Sequence, residues 1–375
     1  MRRILVLLVS MMLMVCTSAS ANIVYLTSSG AMGVISTSGS DTTELIGTKY
    51  TVSWNNPLLG SYWNGSSTNI ILVDRTTDLT TSGDTALIFS PLDLTRPINS
   101  TRRVLAGVYS ANAIAGSERG RSVFFASDSS IYELSTENFS LTRFYTYIPN
   151  SIEDIDAEIT ELITGSNVIY ALVKQDISRD VVLRFDGQLR DDVSGSFINR
   201  PLAYGAETIS WLSGSRVAAG HVQGVDVWQD DRGFRPVLST DIPVKAVCQD
   251  SGNGFYFIEQ DESEGVYTTT LNHYSYGEGM ISMLYTTTEG RTCRLLRDRS
   301  SGIVSAIVGD KILLYKMNRD TLIGEYDSSE LGGVPVQIAL TSVPGDNGSN
   351  SSGCSLSGIG MMMIFLAGVI VSRKK

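Results

Sequence analysis

The chain has 375 residues, of which 42% are hydrophobic and only 9 are prolines, and this composition excludes an intrinsically disordered protein. It carries 29 basic and 39 acidic residues, a formal net charge of −10 at pH 7. An acidic surface repels phosphate backbones, so the charge argues against nucleic acid as a partner.

The first 21 residues have the pattern of a secretory signal peptide. Arg2 and Arg3 precede an apolar run over residues 4–16, and the sequence Thr-Ser-Ala-Ser-Ala occupies residues 17–21. A charged start, an apolar segment of about a dozen residues and an A-x-A site are the three parts of such a peptide. We therefore predict a signal peptide over residues 1–21, cleavage after Ala21 and export of the mature chain.

Residues 22–340 repeat a pattern of short strands. Strands that open a hairpin begin at Asn22, Asn69, Ser122, Asn167, Arg216, Gly254 and Ile303, at intervals of 38 to 53 residues. Each is rich in β-branched and aromatic residues and is followed by a polar turn and a partner strand, which is typical of β-hairpins. A third strand usually follows, and one more apolar segment precedes several of the hairpins.

Four strands in a unit of about 47 residues predict the blade of a β-propeller. We predict an all-β fold with about seven four-stranded blades in one domain over residues 22–340. Six or eight blades are alternatives, as are a pair of β-sandwiches and an open β-solenoid. The residues match no particular propeller family, because neither the sialidase Asp box nor regular kelch or WD motifs recur.

The two ends of this domain complement each other. The first unit starts directly with its second strand at Asn22, and the domain ends with an unpaired strand from Val334. In a closed ring the last strand would supply the missing inner strand of the first blade. Closure removes exposed sheet edges, which otherwise invite aggregation.

Two cysteines belong to the folded domain. Cys16 leaves with the signal peptide and Cys354 lies in the C-terminal tail, so Cys248 and Cys293 remain. In an exported chain they could form one disulfide bond. The alternative is two buried thiols that behave as small hydrophobic side chains.

Side chains typical of catalysis are scarce. The only histidines are His221 and His273, which leaves little material for a histidine-based metal site or a Ser-His-Asp triad. Acidic residues cluster at residues 154–158 and 261–264. Such clusters favour solvated turns, with calcium binding and carboxylate catalysis as weaker alternatives. We predict no catalytic, cofactor or metal residues, with calcium as a weak alternative.

The C-terminal residues have the order of a membrane-directed signal. A Gly/Ser/Asn-rich linker over residues 341–353 leads to Cys354, an apolar segment follows over residues 356–371, and the chain ends on Arg373, Lys374 and Lys375. Terminal cations hold their end of such a segment on the cytoplasmic side. About 16 apolar residues are short against the roughly 20 that span a bilayer, which favours a processed signal over a permanent anchor.

This tail resembles the Synergist-CTERM type of bacterial sorting signal. Gly353, Cys354 and Ser355 match its Gly-Cys-Ser core, and the final basic residues match its closing cluster. The resemblance covers residues 354–375 and their polar lead, and it implies cleavage near Cys354 by an intramembrane sorting protease. A plain C-terminal membrane anchor and a eukaryotic glycolipid-anchor signal are the alternatives.

Without the five basic residues of the two ends, 24 basic residues face 39 acidic ones, a net charge of −15. We predict a cell-envelope propeller, surface-bound or released, that acts as a non-catalytic binding or scaffolding module for a protein or glycan. One alternative is an extracellular glycan- or peptide-processing enzyme with carboxylates at the propeller channel. Another is a structural component of a surface layer. Carboxylates that converge at one end of the channel would favour the enzyme.

Overall fold

The computed structural model describes residues 21–341 with short gaps. The gaps are residues 39–41, 54–56, 64–67, 76–82, 91–92, 99–102, 117–121, 150–155, 166–167, 176–178, 187–199, 202–204, 214–215, 230–232, 251, 253, 299–300 and 318. These residues form seven four-stranded antiparallel sheets, which are the seven blades of a β-propeller. The predicted fold class is therefore confirmed.

The strands follow one another in chain order, blade by blade. Blade 1 contains β1 (Ala21–Thr27), β2 (Ala31–Ser38) and β3 (Thr42–Thr51), and blade 2 contains β4 (Leu58–Trp63), β5 (Thr68–Asp74), β6 (Gly83–Phe89) and β7 (Arg103–Ala106). Blade 3 contains β8 (Ala113–Gly116), β9 (Ser122–Ser127), β10 (Ser130–Ser135) and β11 (Leu141–Thr146), and blade 4 contains β12 (Glu158–Gly165), β13 (Val168–Lys174), β14 (Val181–Asp186) and β15 (Arg200–Pro201).

The second half of the ring repeats the arrangement. Blade 5 contains β16 (Ala206–Ser213), β17 (Arg216–His221), β18 (Gly224–Gln229) and β19 (Gly233–Ser239), and blade 6 contains β20 (Val244–Gln249), β21 (Gly254–Ser263), β22 (Val266–Ser275) and β23 (Met280–Thr287). Blade 7 contains β24 (Thr292–Asp298), β25 (Ile303–Gly309), β26 (Lys311–Lys316) and β27 (Thr321–Tyr326), and α1 (Ser328–Leu331) leads to the last strand, β28 (Pro335–Leu340).

The last strand closes the ring as the sequence predicts. β28 pairs antiparallel with β1 and becomes the inner strand of blade 1, with Ile338 opposite Tyr25. Thr341 extends this pairing, because its backbone N–H donates to the Asn22 carbonyl at 2.9 Å and its hydroxyl accepts from the Asn22 N–H at 3.1 Å. The first and last strands of the domain are thus joined in one sheet.

The hydrophobic core is a ring of clusters between neighbouring blades. Most second strands are almost wholly buried, as β5, β9 and β25 illustrate. Side chains on the two faces of such a strand pack against the two adjacent blades, so that Tyr170 of blade 4 packs with Trp228 of blade 5, whereas Phe124 of blade 3 packs with Phe185 of blade 4. Burial of one large apolar side chain is worth about 1.5–3 kcal/mol. The core therefore holds the blades in fixed positions around the central axis.

Buried carboxylates also join consecutive blades. Asp84, at the start of β6, accepts hydrogen bonds from the backbone N–H groups of Ser110 at 3.0 Å and Ala111 at 2.7 Å. Asp180, just before β14, accepts from Ala206 of the next blade at 2.7 Å. Each carboxylate satisfies backbone donors that would otherwise be buried without a partner.

No helix in the described part of the chain is long and apolar enough to cross a membrane. The apolar segment predicted over residues 356–371 lies outside the described residues, as do residues 1–20 of the predicted signal peptide.

Candidate functional site

A channel runs along the axis of the propeller and is lined by the inner strand of every blade. These strands are β28, β4, β8, β12, β16, β20 and β24, and the cavity between them has a volume of about 400 Å³. A second cavity of about 350 Å³ adjoins it where the inner strands begin. Residues near the starts of all seven strands converge there, because the strands run in the same direction around the axis. We call this end the channel mouth.

Among the residues that the structure describes, five charged side chains line the channel mouth, namely Glu161 of β12, Lys174 of β13, Glu207 of β16, Lys245 of β20 and Arg294 of β24. Lys174 reaches the mouth from a second strand because β13 runs antiparallel to β12 and ends at this side. Uncharged polar side chains join them, namely Asn112, Thr160, Thr208 and Gln337. Glu161, Lys245 and Arg294 also line the deeper channel, so they lie where the mouth meets it.

The cations of the mouth outnumber its carboxylates. Glu207 pairs with two lysines, since its Oε1 lies 3.2 Å from Lys245 Nζ and its Oε2 lies 3.9 Å from Lys174 Nζ. Arg294 is exposed in the mouth, and its Nη1 donates to the backbone carbonyl of Cys293 at 3.1 Å. In the described part of the chain, three cations thus face two carboxylates at the mouth, whereas the chain as a whole is strongly acidic.

Glu161 is the most perturbed carboxylate at this site. Its Oε2 accepts from the Ile209 N–H at 2.6 Å, and its Oε1 accepts from the Thr208 hydroxyl at 3.2 Å. Burial raises the pKa of Glu161 to about 6, although the bond from Ile209 and the charges of Arg294 and Lys174 act in the opposite direction. A carboxyl group with such a pKa can hold or release a proton near neutral pH, as general acids and bases do.

The two cysteines are free buried thiols at different levels of the channel wall. Cys293 is the second residue of β24 and lies near the mouth, whereas Cys248 lies near the far end of β20. They belong to different hydrophobic clusters of the interface between blades 6 and 7. Of the two arrangements open from the sequence, the structure therefore has separate thiols. Burial raises the pKa of Cys248 to about 12 and that of Cys293 to about 11.

One of the three predicted processing residues, Ala21, lies within the described part of the chain. Ala21 is the first residue of β1 and pairs with Thr37 of β2. Gly353 and Cys354 lie outside the described residues. Cleavage after Ala21 and near Cys354 stays a prediction.

Neither histidine lines the channel mouth, and neither do the described residues of the acidic clusters. His221 is buried in blade 5, where its Nδ1 accepts from the Gln223 N–H and its Nε2 lies 3.2 Å from Asp226. Asp261 and Glu264 are exposed in the hairpin of β21 and β22. Among the described residues, no group of three or more histidine, cysteine, aspartate or glutamate side chains could hold a metal ion.

One signal of this site is present in the sequence, although it is spread over several blades. Glu161, Lys245 and Arg294 are charged residues within the inner strands β12, β20 and β24. Lys245 follows Glu161 at about two blade repeats and Arg294 follows Lys245 at about one, so an alignment of the seven units would place them at one end of the ring. Charged residues at such positions face the channel, because the other face of each inner strand packs in the core.

Solved propellers share this fold at low sequence identity. A candidate 6-phosphogluconolactonase from Bacteroides fragilis has a TM-score of 0.59 and 9% identity, over 87% of this chain and 99% of that one. A second, from Bacteroides uniformis, has a TM-score of 0.55 and 15% identity over 86% and 99%. A protein from Lactobacillus plantarum has a TM-score of 0.57 and 13% identity over 86% and 100%. These likenesses show the fold alone. No protein-family model and no curated protein matches this sequence.

Proposed function

We propose that this protein is an exported, cell-envelope propeller that binds a small anionic molecule at its channel mouth without altering it. The observation that carries the proposal is the convergence of Arg294, Lys245 and Lys174 on one cavity of an otherwise acidic chain. A cationic cleft in an acidic surface concentrates anions and repels cations. Arginine in particular suits a carboxylate or phosphate, because its planar fork can donate two parallel hydrogen bonds.

The size and lining of the cavity favour a ligand no larger than a sugar or a short oligomer. Ligand sites usually occupy about 300–1,000 Å³ and combine apolar walls with a few polar groups. Asn112 and Gln337 supply such groups beside the cations, and Ile114 and Leu162 supply apolar surface. A polyhydroxylated carboxylate would suit this lining, because its charge could pair with the cations and its hydroxyl groups could hydrogen-bond to the uncharged polar side chains.

Binding is tested by isothermal titration of the purified domain with glucuronate, glucose and glucosamine. The three share one ring and differ in charge, so glucuronate should bind most tightly and glucosamine most weakly. Arg294→Gln should weaken glucuronate binding at least tenfold, since hydrogen bonds to charged groups contribute about 1.5–3 kcal/mol. Arg96→Gln is the matched control, because Arg96 is exposed on blade 2 and pairs only locally with Asp93 at 3.1 Å. Equal affinity for all three sugars would contradict the proposal.

The envelope location rests on the two ends of the sequence. The pattern over residues 1–21 supports export, and the order linker, Cys354, apolar segment, basic end supports attachment to the membrane until a sorting protease acts. Intact-mass measurement and C-terminal peptide mapping of the native protein test this. A new terminus near Cys354 would support sorting, whereas an intact Lys375 would indicate a plain membrane anchor.

A second candidate function is hydrolysis with Glu161 as the acid or base. It is favoured by the pKa of about 6 and by the presence of Glu207 at the same end of the channel. Two of the solved neighbours are described as candidate 6-phosphogluconolactonases, which makes 6-phosphogluconolactone a suitable first assay substrate beside glycans and peptides. Turnover that Glu161→Gln abolishes while binding persists would establish an enzyme.

A further inference from the structure

Glu161 and Gln337 each accept a backbone hydrogen bond from the inner strand of the next blade, at two different blade junctions. The carboxylate of Glu161 on β12 accepts the backbone N–H of Ile209 on β16. The side-chain oxygen of Gln337 on β28 accepts the backbone N–H of Leu59 on β4, and its Nε2 donates to the Pro57 carbonyl at 3.2 Å. The acceptor is therefore a neutral amide at one junction and a carboxylate at the other. The negative charge of Glu161 is not needed to join the blades.

The hydrogen bonds of Glu161 suit both of its protonation states. Ile209 donates to Oε2 in either state. The Thr208 hydroxyl donates to Oε1 when Glu161 is ionised and can rotate to accept from it when Oε1 carries a proton, because a hydroxyl has one donor and two lone pairs. Uptake of a proton thus breaks neither bond and leaves the junction in place.

The charges around Glu161 come from four neighbouring strands. Arg294 of β24 and Lys174 of β13 both stabilise its ionised form. Glu207 of β16 and Lys245 of β20 line the same mouth and pair with each other. The described residues of β4, β8 and β28 contribute only uncharged side chains to the mouth. Glu161 is therefore the carboxylate beside the exposed guanidinium of Arg294, whereas Glu207 is held by the lysines.

We propose that an anion bound at the channel mouth is taken up together with a proton on Glu161, so that the site binds anions more tightly in acid. The proposal rests on the anion binding proposed above and adds its regulation. An anion on Arg294 competes with the carboxylate for the same positive charge and repels it at short range. Protonation of Glu161 removes that repulsion and raises the net charge of the mouth by one.

Thermodynamic linkage gives the sign of the effect on anion affinity. If the anion favours protonated Glu161, protonated Glu161 favours the anion by the same factor. The factor for neighbouring sites is typically about 5–150-fold, and we expect about tenfold between pH 5 and pH 8. The pKa of about 6 places the change within this range.

The test is isothermal titration with glucuronate from pH 5 to pH 8, where the charge of this sugar acid is constant. The dissociation constant of the unaltered protein should rise about tenfold with pH. Titrations in buffers of different ionisation enthalpy should show net proton uptake on binding. Glu161→Gln reproduces the arrangement at Gln337, and it should bind as tightly as the acid form at every pH. Glu207→Gln, the matched control, should keep the pH dependence.

Each outcome separates the two proposals. Binding with the same affinity and no proton uptake across this pH range would overturn the coupling and leave anion binding standing. A pH dependence that survives in Glu161→Gln would assign it to another group and overturn the coupling as well. Absence of glucuronate binding at every pH would overturn the proposed function and the coupling together. If Glu161→Gln does not fold, the other titrations still test the coupling: absence of proton uptake by the unaltered protein would overturn it, and uptake that Glu207→Gln retains would support it.

Discussion

His273 Nδ1 lies 2.8 Å from Asp320 Oδ2, and this contact joins blade 6 to blade 7. The other ring nitrogen lies 3.1 Å from Asp250 Oδ2, so the imidazole stands between two carboxylates. Tyr256 stacks on the ring with 4.5 Å between centroids, and its hydroxyl donates to Asp320 Oδ1 at 2.6 Å. Both nitrogens can donate only when the imidazole is protonated. The network is therefore complete only for the charged form of His273.

Stability should fall as the pH rises through the pKa of His273. Burial lowers this pKa, but the bonds to Asp250 and Asp320 outweigh it, so the pKa lies above its ordinary value of 6.5. A pKa that is higher in the folded state means that the proton stabilises the fold. That contribution is fully present below pH 6.5 and is lost as the pH rises through the folded pKa.

His273→Gln isolates this contribution, because glutamine does not titrate. Urea unfolding at pH 6 should show a loss of about 1.5–3 kcal/mol relative to the unaltered protein, the range for hydrogen bonds to charged groups. The difference should shrink toward pH 9. Asp320→Asn, which removes one of the two carboxylates, should reduce the pH dependence. An equal difference at pH 6 and pH 9 would show that the charged imidazole does not join the blades.

Most of the fold was predictable because the same pattern of strands and turns recurs in each blade. The runs at Asn69, Ser122 and Ile303 are short, apolar and bounded by turn residues, so they predict strands whatever surrounds them. All seven predicted hairpin starts are the second strands of the seven blades. The unpaired strand at Val334 also indicated closure. Local pattern suffices where the same local structure recurs.

The candidate site was not predictable in this way. Glu161, Arg294 and Lys245 come from three blades, and only ring closure places them at one cavity. The conspicuous acidic turn with Asp261 and Glu264 is exposed instead. Acidic residues that are adjacent in the sequence therefore lie in a hairpin turn. The charges of the candidate site come together only in space, because the inner strands of all seven blades run in the same direction.

Ring closure by β28 should be essential for stability. Ile338 is 7% exposed and packs in the cluster that joins blades 7 and 1, with Ile23 and Tyr25. Ile338→Ala should cost about 2–4 kcal/mol, because it removes buried apolar surface and leaves a cavity. Ile281→Ala is the control, since Ile281 is 46% exposed on the outer strand of blade 6 and should change stability by less than about 0.5 kcal/mol. Chemical denaturation monitored by tryptophan fluorescence measures both. Equal losses would place β28 outside the cooperative core.

The mature domain should contain two free, unreactive thiols. The pKa values of Cys248 and Cys293, about 12 and 11, leave little thiolate at neutral pH, and the thiolate is the reactive form. An aromatic disulfide reagent should therefore label neither cysteine in the native protein and both after denaturation without reductant. Mass spectrometry of the protein after each treatment counts the cysteines that carry the label. Labels that appear only after reduction would establish a disulfide and contradict the separate thiols.

Asp84 should contribute to stability because both of its oxygens accept from the loop between blades 2 and 3. Asp84→Asn keeps the size of the side chain but replaces one acceptor with an NH₂ group, which would face the N–H of Ser110 or Ala111. A buried donor without an acceptor costs about 1–3 kcal/mol, so the free energy of unfolding should fall by that amount. Asp93→Asn on the same blade is the matched control, because Asp93 is exposed and surface pairs contribute about 0–1 kcal/mol. Equilibrium urea unfolding at pH 7 compares the two variants. If Asp84→Asn lost no more stability than Asp93→Asn, the loop between blades 2 and 3 would be held by the apolar core alone.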